Sequence, residues 1–462
     1  MTIIWLALLG VGVALSFFSI RWALVYYLVG SLIFPVLWLG EIAVRFETVY
    51  CLWLFFLVLF NKLKKNTIFR INKVMKVYGL FLVIVLLGTL VNISSNGQSF
   101  LALSVQFYGL ARPFLVMFLF SNASLPLYTV ESIIWVFMYL NIPIALLSIG
   151  QSLGLDLAER ITIVGYSSPW RTPISSLLLS TGRILRSTGV LESPVYNGVY
   201  FTLVLCAASV LLMQPAPKGF KRWFLYGNIG LAFLAGLSTL TSTFLMGSLI
   251  TIFLVTATFV KTKRYNAYLA YVMGICIVFL FTTGVVGEFF ADPLISSELA
   301  YQVKDTFSSR VFVTRYDVEE GLLTNTVRAI LIRPLLGWGL VNMQDVFIGD
   351  SVYVTVLYRA GILGSLLLFL VILRILRHSL HLLNKTFPDA VIGAVSLLWT
   401  LISLAEGLGS GGAFYVLRLQ EWYWAVVAIA MSIPVLSRPA NLCKNDETLS
   451  TEVSAVGETH PG

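Results

Sequence analysis

Thirteen apolar runs recur along the chain, over residues 2–19, 22–39, 48–60, 77–94, 100–120, 128–153, 195–213, 223–240, 242–260, 266–286, 351–373, 389–408 and 414–436. About 20 such residues in a helix cross the hydrocarbon of a bilayer, and only helices or closed barrels satisfy their backbone there. Charged residues make up 11% of the sequence, against roughly a quarter in soluble domains. The pattern predicts an all-α polytopic membrane protein with about 12–14 spans and excludes a soluble globule. The third run is short and Pro35 breaks the second, so one of these early segments is either a span or re-entrant. The first run lacks a basic leader and continues past Arg21 into more apolar sequence, which reads as a retained segment, not a cleaved signal.

Basic residues set the sidedness. Lys62, Lys64, Lys65, Arg70, Lys73 and Lys76 fall in one connection, Lys218, Lys221 and Arg222 in another, then Lys261, Lys263 and Arg264, then Arg374, Arg377 and Lys385. Alternate connections are therefore cytoplasmic, together with the polar tail at 437–462, which reads as disordered. Amino-terminal spans occupy 1–153, an outer loop 154–194, central spans 195–286, a large outer loop 287–350, and carboxy-terminal spans 351–436. Outer connections this long predict partly folded elements over an outward cavity. The net charge of +9 belongs to this sorting, so no nucleic acid partner is expected. Four cysteines, three of them in apolar runs, give no redox framework.

The two sides differ in which cation they use. Arg160, Arg171, Arg183, Arg186, Arg310, Arg315, Arg328 and Arg333 face a single outer lysine, Lys304, whereas 11 of the 12 lysines lie inside. Topological sorting counts both residues alike. Only the guanidinium offers a rigid fork for phosphate or carboxylate, which points to an anionic ligand outside. The alternative is that these arginines pair with Asp305, Asp317, Glu319 and Glu320 of the same loop. Arg112, Arg359, Glu406, Arg418 and Glu421 fall within apolar runs, where a charge must be paired or face water. Glu421 and Arg418, one turn apart, suggest a local ion pair. Arg112 and Arg359 have no acidic neighbour in sequence and mark a bundle interior or cavity.

Residues 310–373 begin with Arg310 and Arg315 and continue through an acid-started helix whose apolar stripe is Leu322, Leu323, Val327, Ile330 and Leu331. Pro334 ends that interfacial helix, Gly337 and Gly339 turn about Trp338, a ring suited to the interface, and Asp350, Ser351 and Tyr353 open the next span. With Arg328, the Pro334–Gly339 run, Asp350–Tyr353 and Gly361–Gly364, this stretch resembles the O-antigen polymerase and ligase family. These are bacterial membrane glycosyltransferases that take glycan from a polyprenyl diphosphate carrier at the outer face of the inner membrane. A second stretch, Arg183 to Gly189 followed by Glu192, Ser193, Pro194 and Asn197, is similar to the family's other outer arginine element. Together the motifs cover about a quarter of the chain.

Two departures stand out. The family's ligases carry a histidine where this chain has Asp350, and no histidine lies in either outer loop, which favours polymerase over ligase. The family's Ser-Arg pair after the eighth span is altered, with Ser238, Thr241, Ser242 and Thr243 but no arginine.

The resemblance implies a GT-C-like fold and an inverting, metal-independent transfer without cofactor. Arg183, Arg186, Arg310, Arg315 and Arg328 would clamp the diphosphate, Arg183 and Arg186 sharing a helix face, with Arg183 and Arg310 acting at the leaving group. Asp350 would take the acceptor proton, or serve with Ser351 only as a helix cap. Tyr353, Trp338, Arg359, Arg112 and Glu192 would line the acceptor cavity. Asp317, Glu319 and Glu320 are helix-start acids, so no metal is expected. Partners would be lipid-linked donor and acceptor glycans, the bilayer and a chain-length regulator. Competing readings are a ligase onto lipid A-core or protein, and a lipid-glycan flippase or other transporter, although no internal repeat links the halves.

Overall fold

The computed structural model describes residues 2–39, 42–93, 99–123, 125, 127–166, 186–213, 219–261, 324–343, 346, 351–385, 388–408, 412–416 and 418–434. Helices dominate them: α1 (Thr2–Phe18), α2 (Ile20–Ile33), α3 (Phe46–Lys64), α4 (Lys73–Asn92), α5 (Phe100–Asn122), α6 (Leu127–Ser152), α7 (Asp156–Tyr166), α8 (Pro194–Leu212), α9 (Phe220–Leu237), α10 (Ser242–Lys261), α11 (Thr324–Ile332), α12 (Val352–Leu382), α13 (Asp389–Glu406) and α14 (Leu419–Ser432). Seven of these, α3 to α6, α8, α12 and α13, are long and apolar enough to cross a bilayer. The chain is a polytopic membrane protein. The run at 266–286 lies outside the described residues, and every other apolar run carries a helix.

One early expectation is corrected, and the Pro35 break in the second run is met. The third run is no short segment, because Phe46, Glu47 and the turn from Asn61 to Lys64 extend the helix to 19 residues, with its acid at the amino end and its lysines at the carboxyl end, where the helix dipole favours them. The second run does not reach residue 39. Phe34, the residue before Pro35, is extended at φ −80° and ψ 143°, so α2 stops at Ile33. The chain then enters an antiparallel hairpin, β1 (Leu37–Leu39) on β2 (Ile42–Val44), with Leu37 opposite Val44. The turn between α1 and α2 lies beside Trp53, whose Nε1 donates to Ser16 Oγ at 3.0 Å part-way along α3.

From α3 onward the membrane helices alternate between a lysine end and the opposite end, here called the arginine end. Polar side chains close the lysine end. Arg374 donates to Lys73 O at 2.9 Å, Asn122 exchanges bonds with Arg70, His378 Nε2 lies 2.9 Å from Ala430 O, and Lys385 reaches Pro434 O. The core between the ends is aromatic. Phe137 of α6 touches Tyr200, Trp399 and Trp422 at centroid distances of 5.2, 5.2 and 4.9 Å. Trp399 and Trp422 spend their indole N–H groups on Leu203 O and Leu28 O, so α2, α6, α8, α13 and α14 share one packed centre.

Candidate functional site

Length decides where the site lies. α2 and α14 have 14 residues each, about 21 Å at 1.5 Å per residue, which falls short of a hydrocarbon core about 30 Å thick. The arginine ends of both are continued by non-helical chain, which would still lie within the hydrocarbon of a bilayer whose other face meets their lysine ends. Such backbone survives there only inside protein or along a water-filled cavity.

Six charges gather where these shortened helices stop. Arg45 and Glu47 begin α3, Arg418 and Glu421 begin α14, Glu192 precedes α8, and Arg112 comes from the middle of α5. Arg45 grips Glu192 bidentately, Nη2 to Oε2 at 2.9 Å and Nε to Oε1 at 3.3 Å. Arg418 Nε approaches the same Oε1 at 3.4 Å. Arg112 Nη1 lies 3.1 Å from Glu421 Oε1 and 3.9 Å from Glu47 Oε1, while its Nη2 donates to Thr48 Oγ1 at 3.0 Å. Tyr27 donates to the other oxygen of Glu421. Three cations thus meet three anions, and the neutrality offsets a desolvation cost of several kcal/mol per ion. The local Glu421–Arg418 pair suggested by spacing does not form in this arrangement: each reaches across to another helix. Burial opposes the Arg45 charge, but Glu192, helped by Glu47, more than offsets it and raises the guanidinium above its ordinary pKa.

Arg418 is also a structural hub. Its Nη1 donates at 3.1 Å to both Leu32 O and Val190 O, and its guanidinium covers the Tyr166 ring at 5.2 Å. The end of α2, the segment before α8 and the surface helix α7 are thereby tied to α14. The backbone is left-handed at both Glu192 (φ 67°) and Arg418 (φ 72°), a conformation that costs a non-glycine residue about 1–2 kcal/mol.

Residues 186–192 carry the second arginine element. Ser187 donates its N–H to Ser238 O at 3.0 Å and shares a hydroxyl contact with Ser238 Oγ at 2.9 Å. Gln151 Oε1 accepts from the N–H groups of Thr188 and Gly189, both at 3.0 Å. The altered stretch after α9 and the arginine element, 51 residues apart at Ser187 and Ser238, are thus in contact. Arg186 sits in a bend, so the helix face it was expected to share with Arg183 is not formed at its position.

The glycine-rich run 334–341 inserts between α4 and α12. Gly361, at φ 60° and ψ −165°, breaks α12, and the freed groups bond to the run: Trp338 N to Tyr358 O and Gly339 N to Arg359 O, both 2.8 Å, then Ile362 N to Pro334 O at 2.7 Å. On the other side Leu340 N donates to Thr89 Oγ1 at 3.0 Å and Asn92 Nδ2 to Gly337 O at 3.2 Å. A Cβ on Gly339 would stand 2.2 Å from Thr89 N, and one on Gly361 2.3 Å from Leu335 O, so only glycine fits either place. Trp338 is not an interfacial ring. It is buried against Tyr358 and donates to Ala329 O at 2.8 Å. Helix α11 buries Thr326 and Ala329, packs Ile330 against Trp338 and Tyr358, and leaves Val327 and Leu331 exposed, so the described part of the expected apolar stripe is divided between inside and outside.

Of the expected site residues, Arg112 and Glu192 belong to the charge cluster and Arg186 lies in the chain leading to it. Arg328 is exposed on α11 beyond the glycine-rich run, Arg359 lies at the break in α12, and Tyr353 bonds Leu404 O across to α13. Asp350, Arg183, Arg310 and Arg315 lie outside the described residues. Arg45 and Glu47 are the members that sequence reasoning missed. They fall between the second and third apolar runs, where a basic and an acidic residue look like ordinary loop polarity, and the available signals were the shortness of the third run and the Pro35 break in the second. No protein-family profile matches the chain, and no curated protein is detectably similar to it.

Proposed function

We propose that the protein is a membrane glycosyltransferase that polymerises undecaprenyl diphosphate-linked oligosaccharide repeats into a surface polysaccharide, at the outer face of a bacterial inner membrane. The observation that supports this reading is the gathering of Arg45, Arg112 and Arg418 with three glutamates at the end of the helices opposite the lysine end, charges that an apolar bundle holds only for a purpose. In this scheme Arg183, Arg186, Arg310, Arg315 and Arg328 hold the diphosphate and stabilise it as it departs. Asp350 receives the acceptor proton, and neither metal nor cofactor takes part.

The test is the gel profile of surface glycan in a strain lacking the gene. Single-repeat products on the acceptor support polymerisation. Long chains retained on the carrier indicate a ligase, and lipid-linked units trapped inside indicate a flippase. Either of the last two results overturns the proposal.

A further inference from the structure

Helix α7 has three faces, and the protein packs against only one of them. At about 100° per residue, Ala158, Thr162, Gly165 and Tyr166 share one side and are buried, while Asp156 and Arg160 share a second and are exposed. Between these sides stand Leu157, Ile161 and Val164, exposed to 72, 44 and 60%. Single exposed apolar residues are ordinary, but three at i, i+4 and i+7 make a stripe that something apolar must cover.

The level of the helix indicates what covers it. Its start folds back on the last turn of α6, where Leu155 N donates to Gly150 O at 2.9 Å and a Cβ on Gly150 would stand 3.2 Å from that of Ala158. Its end is fixed to the end of α2: Gly165 O accepts from Val36 N at 2.9 Å, and Tyr166 donates to Ile33 O. There Phe34 packs on Phe46, the first residue of α3, at a centroid distance of 4.8 Å. Both ends of α7 therefore lie where membrane helices finish or begin, the depth of a headgroup boundary. The stripe also continues a lipid-facing surface. Along α6, which is long enough to span, Tyr139, Ile142 and Leu146 are exposed at helical spacing, and Leu153 and Leu155, exposed in the turn, lead on to Leu157.

We infer that α7 is an interfacial anchor, lying in the plane of the leaflet at the arginine end with Leu157, Ile161 and Val164 among the acyl chains. Apolar burial seats it, not attraction to acidic lipid, because Asp156 and Glu159 outnumber Arg160 and a net negative helix gains nothing from anionic headgroups. What it anchors is Tyr166, its last residue, the ring beneath the Arg418 guanidinium. Lipid thereby helps to seat Arg418, whatever reaction the protein performs.

The experiment attaches a nitroxide in turn to Asp156→Cys, Leu157→Cys, Arg160→Cys, Ile161→Cys and Val164→Cys of the full chain in phosphatidylcholine nanodiscs. Cys276 and Cys443 are changed to Ser, and the buried Cys51 and Cys206 stay. Relaxation by oxygen against an aqueous nickel chelate reads the depth of each label. Labels at 157, 161 and 164 should lie about 5–10 Å below the phosphates and those at 156 and 160 at or above them. Adding phosphatidylglycerol should leave these depths unchanged. Ile161→Glu with Val164→Glu should move the label at 157 out to the phosphates, whereas Tyr166→Leu, which keeps the stripe and drops the contact with Arg418, should not move it. The inference is overturned if the stripe labels are as open to the chelate as those at 156 and 160, or if they are shielded from both reagents, which would mean a protein partner. It is equally overturned if the depth survives the two glutamates, needs phosphatidylglycerol, or is lost in Tyr166→Leu.

Discussion

Removing the Arg112 guanidinium tests whether the charge cluster is a single electrostatic unit. In Arg112→Met the apolar length of the side chain remains, but Glu421 at 3.1 Å and Glu47 at 3.9 Å lose their shared cation while both stay buried. Stranding one buried charge in this way costs about 3–5 kcal/mol. Glu421→Gln alone is milder, because Arg112 keeps Glu47 and Thr48 Oγ1, and its cost is about 1–3 kcal/mol. The double variant removes a cation and an anion together, so its cost should fall below the sum by about 2 kcal/mol or more. Unfolding of the purified chain in mixed micelles with increasing dodecyl sulfate, followed by tryptophan fluorescence, reads all four corners of the cycle. The reasoning fails if the two single costs add to within about 0.5 kcal/mol, the behaviour of independent sites.

Gly361→Ala places a methyl 2.3 Å from Leu335 O at a positive φ, so it should destabilise by about 2–4 kcal/mol in the same assay, while Gly109→Ala, with nothing within 4 Å, should be neutral or better. Replacing Arg183, Arg310 or Arg328 with Lys retains charge and should preserve expression yet remove most polymerisation; full activity in all three would rule out the arginine clamp. Asp350→Asn keeps the side-chain shape ahead of Ser351, the N-cap of α12, but not a base, so purified enzyme should insert normally and turn over at least about a hundredfold more slowly, and a wild-type rate would leave Asp350 without a catalytic role and make Glu192 the next carboxylate to replace.

Periodicity and length were enough to locate nearly every described helix, because a bilayer demands long apolar runs and punishes their interruption. Boundaries failed where polar residues extend a helix past its apolar stretch, as Glu47 and Lys64 do, whereas the break at Pro35 was legible and α2 stops just ahead of it, at Ile33. The charge cluster was only half legible. Arg112, Glu421 and Arg418 announced themselves as charges in hydrocarbon, but their partners lie on other helices, and sequence spacing favoured the wrong pair, Arg418 with Glu421. Trp338 misled for a related reason. Its amphipathic ring suits a membrane surface, yet the glycines beside it let the run pack so closely against α4 and α12 that the indole N–H finds a backbone partner inside.

That packing has a consequence for how such a chain can diverge. The run 334–341 is stitched on one side to Thr89 and Asn92 and on the other to the broken turn of α12. Three stretches, two of them neighbours in sequence and the third on the distant α4, must therefore change together or not at all. A hybrid that borrows the connection between α10 and α12 from another protein should tolerate a junction at Thr324, where α11 begins. A junction inside 334–341 would import a strip of backbone whose matching seams, on α4 and α12, stayed behind.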